Sequence, residues 1–254
     1  MVYCYPNQFG LYMLNKSIII KADDYRYPSR EERKKLYATE PQLANFGFPY
    51  ASTLGTLLSN RNEVSTAHRQ SNLFWWDNCL HNRIGSLWHA YINTLTHYER
   101  GIPEKEKEFD EHHYINRIQF DFYAETYYYF FSTVKDNIGQ LLNVYFNIGL
   151  TENEIHFNSG FAGKLPSGDV RKVVKAFLKE TQQTTNHRNS FTHRYPPNYP
   201  DNRDRFSETN GLLTFYSSSG EYVSTKMFRD NILSSQIALA KLLNQLKPLL
   251  IKPI

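Results

Sequence analysis

Cysteine is nearly missing from this sequence. Cys4 and Cys79 are its two thiols, too few for a disulfide framework and without the paired spacing of a zinc site, so a reducing, cytoplasmic compartment is the simpler expectation. No run of about 18 apolar residues occurs, and no membrane-spanning helix is expected. Residues 1–10 lack a basic cluster, and Pro6 and Asn7 interrupt their apolar positions, so no secretory leader is expected there. Glycine is scarce, at 12 residues, and no internal period recurs, which excludes collagen-like, low-complexity and solenoid architectures. A large excess of one charge is also missing. The net charge of +4 tolerates an anionic partner but falls short of a dedicated duplex-DNA binder.

What is present is apolar and aromatic bulk. Hydrophobic residues make up 41% of the 254 positions and aromatics 15%, enough to bury a core in one large domain with elaborations. The first 27 residues read as irregular or short-strand structure, with a β-branched run at residues 17–20. Ser29 with Glu32 three positions later forms a capping-box pattern that opens a short helix ending near Pro41.

The centre of the chain is more regular. Between about residues 66 and 100, Leu73, Trp76, Leu80, Ile84, Leu87, Tyr91 and Leu95 recur at helical steps. Gly101-Ile102-Pro103 ends that helix. A second stripe follows through Ile115, Ile118, Phe122, Tyr129, Val134, Ile138, Leu141, Leu142 and Tyr145, stopped at Asn147-Ile148-Gly149. Two such helices joined by a tight link predict an antiparallel hairpin at the heart of a bundle. A loop is expected over 158–168, a third core helix through Val170, Val173, Val174, Phe177 and Leu178, and a break at 184–186. A short helix over 188–193 then ends at Pro196-Pro197. Residues 211–225 read as a β-hairpin around Ser218-Ser219-Gly220, and residues 227–249 as a final amphipathic helix. The expected fold is therefore mainly α, with two long antiparallel helices and a small β-hairpin. Residues 1–60 form an N-terminal extension with a short helix, and residues 61–254 form the bundle.

Chemistry concentrates in residues 186–195, Asn-His-Arg-Asn-Ser-Phe-Thr-His-Arg-Tyr. At ~100° per residue, Arg188 and His193 stand about 140° apart on a helix and Asn189 about 40° from His193, so one cleft can see all three. Arg supplies a permanent planar fork for a phosphate, and His exchanges protons near neutrality. That pairing suits phosphodiester chemistry. Arg61 with His68 and Arg83 with His89 share the approximate spacing, but Arg83 is followed by apolar Ile84 inside a long helix.

The segment Arg188-Asn189-Ser190-Phe191-Thr192-His193 resembles the signature of the HEPN superfamily, an Arg followed by four to six residues and a His. The resemblance implies an all-α bundle and a metal-independent endoribonuclease without cofactors that dimerises to bring two motifs into one cleft. Arg188 would hold the scissile phosphate and His193 would move protons. Asn189 would orient substrate or His193, with Asp136 on the second long helix as polar support. Tyr195 and Tyr199 look like the extended motif of HEPN toxins paired with nucleotidyltransferase antitoxins, which makes Tyr195 a regulatory candidate by analogy. The implied partners are single-stranded or looped RNA, a second copy of the chain, and an antitoxin or nucleotidyltransferase in a toxin-antitoxin or phage-defence setting.

Other readings compete. Arg188 could simply pair with Glu180 or another carboxylate, while His193 and Arg194 answer the macrodipole at a helix C-terminus. The chain would then be a catalytically inactive nucleotide- or protein-binding module. A helical metal hydrolase needs convergent ligands, and Asp77, His81, His89, His97, His112 and His113 do not converge by spacing. The aromatic runs at 74–76 and 127–131 are better explained by core or subunit packing than by base stacking. The basic stretches at 30–35 and 203–205 read as solvated surface.

Overall fold

The computed structural model describes residues 25–217 and 220–251. The run at 17–20 that reads as a strand lies outside them. Helix α1 (Arg30–Thr39) opens with the capping box anticipated for Ser29 and Glu32: the Ser29 hydroxyl accepts from the Glu32 N–H and the Glu32 carboxylate accepts from the Ser29 N–H. A second short helix, α2 (Thr53–Ser59), is capped by Ser52. Its Leu54, Leu57 and Leu58 stand at helical spacing, yet all three are exposed and none of its residues is buried.

Helices α3 (Val64–Glu99) and α4 (Glu111–Phe146) form the spine. Arg69 lies over the Tyr145 ring, and Tyr91 meets Tyr127 and Tyr98 meets Phe120 as tilted ring pairs, a pairing order that makes the two helices antiparallel along their length. Gly101, at φ +106, takes the left-handed turn between them. Asp110 begins α4 with a capping box in which His113 replaces the usual Glu, and Asn147, at φ 50, ends it. The apolar steps of α3 are buried apart from half-buried Trp76. On α4 the stripe differs from expectation: Phe122 and Tyr129 are 62% and 55% exposed, and Phe120, Ala124, Tyr127, Tyr128 and Phe131 carry the core instead. The five successive aromatics at 127–131, with Phe120, Phe122 and Tyr123 before them, leave the period ambiguous there, because large rings occur on every face.

Helix α5 (Ser159–Lys164) forms where a loop is expected. The Asn158 side chain accepts from the Phe161 N–H and Phe161 is buried, so cap and anchor overcome two glycines. Helix α6 (Asp169–Glu180) buries Val174 and Phe177. Helix α7 (Gln182–His193) is longer than anticipated, since the break falls at Thr181 and not at 184–186. The Thr181 N–H and hydroxyl both donate to the Phe177 carbonyl, and the Thr185 hydroxyl folds back onto the Thr181 carbonyl, which keeps the Thr-rich turn helical.

The β-hairpin is displaced from the predicted position. Strands β1 (Arg205–Thr209) and β2 (Leu212–Tyr216) pair antiparallel around Asn210-Gly211. Both turn residues have positive φ, 54° and 75°, the geometry of a two-residue hairpin loop that Asn-Gly favours. Helix α8 (Lys226–Leu250) closes the bundle with Ile232, Leu239, Leu242, Leu243 and Leu246 fully buried. Helix, hairpin and core thus give a mainly α bundle of eight α-helices among the described residues, none long and apolar enough to cross a membrane.

Candidate active site

Helix α7 carries the Arg-His motif, and its packing fixes which way the motif looks. Thr184 and His187 are buried, and Phe191 lies between Tyr128 of α4 and Phe228 of α8, at ring separations of 5.6 and 5.9 Å. His187 sits against the same two rings at 5.4 and 5.1 Å. Its Nε2 is buried without a partner, and burial lowers its pKa, so this imidazole is held neutral inside the bundle. Positions 184, 187 and 191 form one helical stripe, which puts Arg188 on the flank of α7 beside it and Asn189 about 100° further round.

Arg188 is half-buried. Its Nη1 donates to Asn189 Oδ1 at 3.2 Å, while its buried Nε has no partner. Among the described residues it makes no ion pair. Glu180, the carboxylate considered for it, faces Lys241 instead, at 3.4 Å. His193 is exposed at the last position of α7, where Arg194 leaves the helix in extended conformation before Pro196. No direct bond joins Arg188 to His193. Arg188 and Asn189 form the inner part of the site, and His193 stands at its solvent edge.

Lys135 of α4 is the residue that sequence reasoning missed. It is 6% exposed, its Nζ donates to the Thr185 hydroxyl at 3.1 Å, and Thr185 lies one turn before Arg188 and Asn189. Burial lowers the Lys135 pKa most. The Asp136 carboxylate opposes that shift, and the Arg188 guanidinium adds to it. The available signal was positional: Tyr128, Phe131, Lys135, Ile138 and Leu142 share one buried heptad seam, and a lysine in such a seam stands out.

Asp136 is placed differently from its expected role. Its Oδ1 accepts the Phe157 N–H at 3.1 Å, anchoring the chain after α4, and its charge acts on the neighbouring Lys135 ammonium. The Tyr195 hydroxyl donates to the Pro200 carbonyl, and the Arg203 guanidinium lies 4.7 Å from its ring centre. Tyr195 therefore braces the turn after the motif. Asp77, weighed as a metal ligand, accepts the N–H groups of Phe46, Gly47 and Phe48 at 3.1, 2.7 and 3.1 Å. Among the described residues no three His, Cys, Asp or Glu side chains gather as a metal site.

A helical bundle with a long antiparallel pair and an Arg-polar-x₃-His helix docked against it defines a HEPN-type module. Residues 76–226, more than half of the chain and including the whole of α7, match the family model described as HEPN_Cthe2314-like HEPN. The chain belongs to that family. No curated protein and no solved structure gives a significant match.

Proposed function

We propose that this protein is a metal-independent endoribonuclease working by 2′-hydroxyl transesterification, with Arg188 binding the scissile phosphate and His193 transferring protons. The supporting observation is Arg188 itself. A half-buried guanidinium on the motif helix, without an ion pair among the described residues, held by Asn189 through Nη1 and with an unsatisfied Nε, is a donor fork oriented by structure with donors to spare. Such preorganised donors favour the charge that builds on phosphoryl oxygens at the transition state. The reaction removes a proton from the 2′-hydroxyl and adds one to the departing 5′-oxygen, leaving a 2′,3′-cyclic phosphate.

One motif histidine per chain cannot serve both oxygens at once, so a twofold dimer supplies the second. The exposed rings Phe122 and Tyr129 on α4 give such a dimer apolar surface to bury. Looped or single-stranded RNA fits best because its backbone can bend in line, and DNA lacks the nucleophile. A cytoplasmic toxin-antitoxin or phage-defence role fits this chemistry, with an antitoxin or nucleotidyltransferase as partner. In that setting Tyr195 would be the modified residue once its bond to Pro200 opens. The functional unit would span 61–254, because α8 completes the core in which α7 sits.

The second reading, a catalytically inactive nucleotide- or protein-binding module, draws on the lack of a direct bond between Arg188 and His193. An RNase assay in excess EDTA separates the two. Cleavage by the wild type, lost by about 100-fold or more in both Arg188→Ala and His193→Ala, is expected for the nuclease. Equal activity in all three proteins, or none in the wild type, would leave the binding module.

A further inference from the structure

The least expected charge in the molecule is Lys135. Burying an ammonium is costly unless it is paired, and native structures place such groups beside carboxylates. Lys135 is more than nine-tenths buried, yet among the described residues it forms no ion pair, and the hydrogen bond found for its ammonium goes to a neutral hydroxyl, that of Thr185. The nearest strong charge across the helix interface is a second cation, Arg188, whose own Nε lacks a partner. Asp136 offsets part of this charge from the adjacent position, but its Oδ1 is engaged by the Phe157 N–H.

Two cations, one sunk in the helix interface and one at its rim, repel each other in the empty protein. Their joint field favours an anion with several acceptor oxygens. Thr185 and Asn189 stand on the same side of α7 as Arg188, one turn apart, and add neutral hydrogen-bonding groups around the pair. A carboxylate offers two oxygens in one plane, whereas a phosphoryl group presents non-bridging oxygens to donors arriving from two helices. We propose that Lys135 of α4 and Arg188 of α7 together form a two-cation cradle for a phosphoryl group, with Lys135 as its inner ligand and the RNA backbone as its source.

This deepens the nuclease reading and rests on Arg188 as a phosphate ligand, so its test avoids cleavage. Binding of a 2′-O-methyl oligoribonucleotide, which cannot react, is measured for wild type, Lys135→Met and Thr185→Val across a salt series. Met keeps the buried stem and removes the charge, and unchanged thermal melting checks the fold. The cradle predicts 10- to 100-fold weaker binding for Lys135→Met, a salt dependence reduced by about one phosphate contact, and a smaller loss for Thr185→Val. NMR signals of the Lys135 side chain should move on addition of inorganic phosphate or the oligonucleotide, with the ammonium pKa rising.

Equal affinity and equal salt slope for Lys135→Met would overturn the cradle even if the wild type cleaves RNA. Conversely, Lys135-dependent binding by a protein that fails to cleave would sustain the cradle and sink the nuclease. A response to inorganic phosphate without one to the oligonucleotide would keep the phosphoryl chemistry and reject the backbone as its source.

Discussion

Glu40 shows how far a single side chain can be moved by its surroundings. It caps the C-terminus of α1, where Oε1 accepts from Gln236 of α8 at 2.8 Å and Oε2 is buried without a partner. Burial raises its pKa to about 9, against the weaker opposing effect of the Gln236 bond, so the carboxyl is neutral at pH 7. A group with a raised folded pKa stabilises fully below its unfolded value, near 4.5, and loses that contribution as pH climbs towards 9. His97 acts from the other side. Burial, then nearby Arg100, lower its pKa from 6.5 to about 4, so stability falls as pH drops through that interval. The unfolding free energy of the wild type, from urea titrations, should therefore decline from pH 6 to pH 8 by on the order of 2 kcal/mol. Glu40→Gln should flatten that limb and be the more stable protein at pH 8. An unchanged slope would mean that Glu40 ionises normally.

At the same scale, the motif pair was legible and its inner neighbour was not. Arg188, Asn189 and His193 follow from a pattern along one helix, and the structure places all three on α7 with the helix end where Pro196-Pro197 required it. Lys135 reaches them only because α4 crosses α7, and a pairing between distant helices leaves no spacing to read. Asp136 was chosen from the same turn, but its side chain serves the backbone at Phe157.

Among the elements, the strongest periodic signals gave the most accurate boundaries. The long helices α3 and α4 and the closing helix α8 lie within a few residues of their expected ends, because their apolar steps run long and unbroken, and Asp110 caps α4 as well. Elements held by tertiary anchors were harder to see: α5 depends on buried Phe161, and α2 has no buried face at all. The hairpin was misplaced for a different reason. Ser218-Ser219-Gly220 has the composition of a hairpin turn, but the positive φ values of Asn210 and Gly211 make that pair the corner. Phe206, Leu212, Leu213, Phe215 and Tyr216 are all more than 60% exposed on this two-stranded ribbon, and an isolated pair of strands is marginal in water. Hydrogen exchange should therefore find the amides of β1 and β2 opening far more readily than those of α4. Protection equal to that of α4 would show that the ribbon is covered in solution.

For the molecule as a whole, one guanidinium decides where the bundle ends and the ribbon begins. Arg117 of α4 is 1% exposed. It pairs with Asp121 at 2.8 Å and donates to the Asn198 and Val223 carbonyls and the Tyr222 hydroxyl, each at 2.8 Å. The chain leaves the bundle at Asn198 and returns at Tyr222, and both points are fastened to the same side chain. Losing it would strand Asp121, whose Oδ1 already lacks a partner, so Arg117→Met should cost about 3 to 5 kcal/mol in denaturant unfolding.

A clasp of that kind separates ancestry from ornament. Whatever lies between residues 199 and 221 enters and exits through one doorway, so a short Gly-Ser bridge in its place should leave the thermal midpoint of the helices within a few degrees of the parent. A collapse of that midpoint would mean the ribbon is structural timber. If the midpoint holds, the stretch is an interchangeable attachment, free to lengthen, shrink or be traded for foreign cargo while the helices beneath stay as they are.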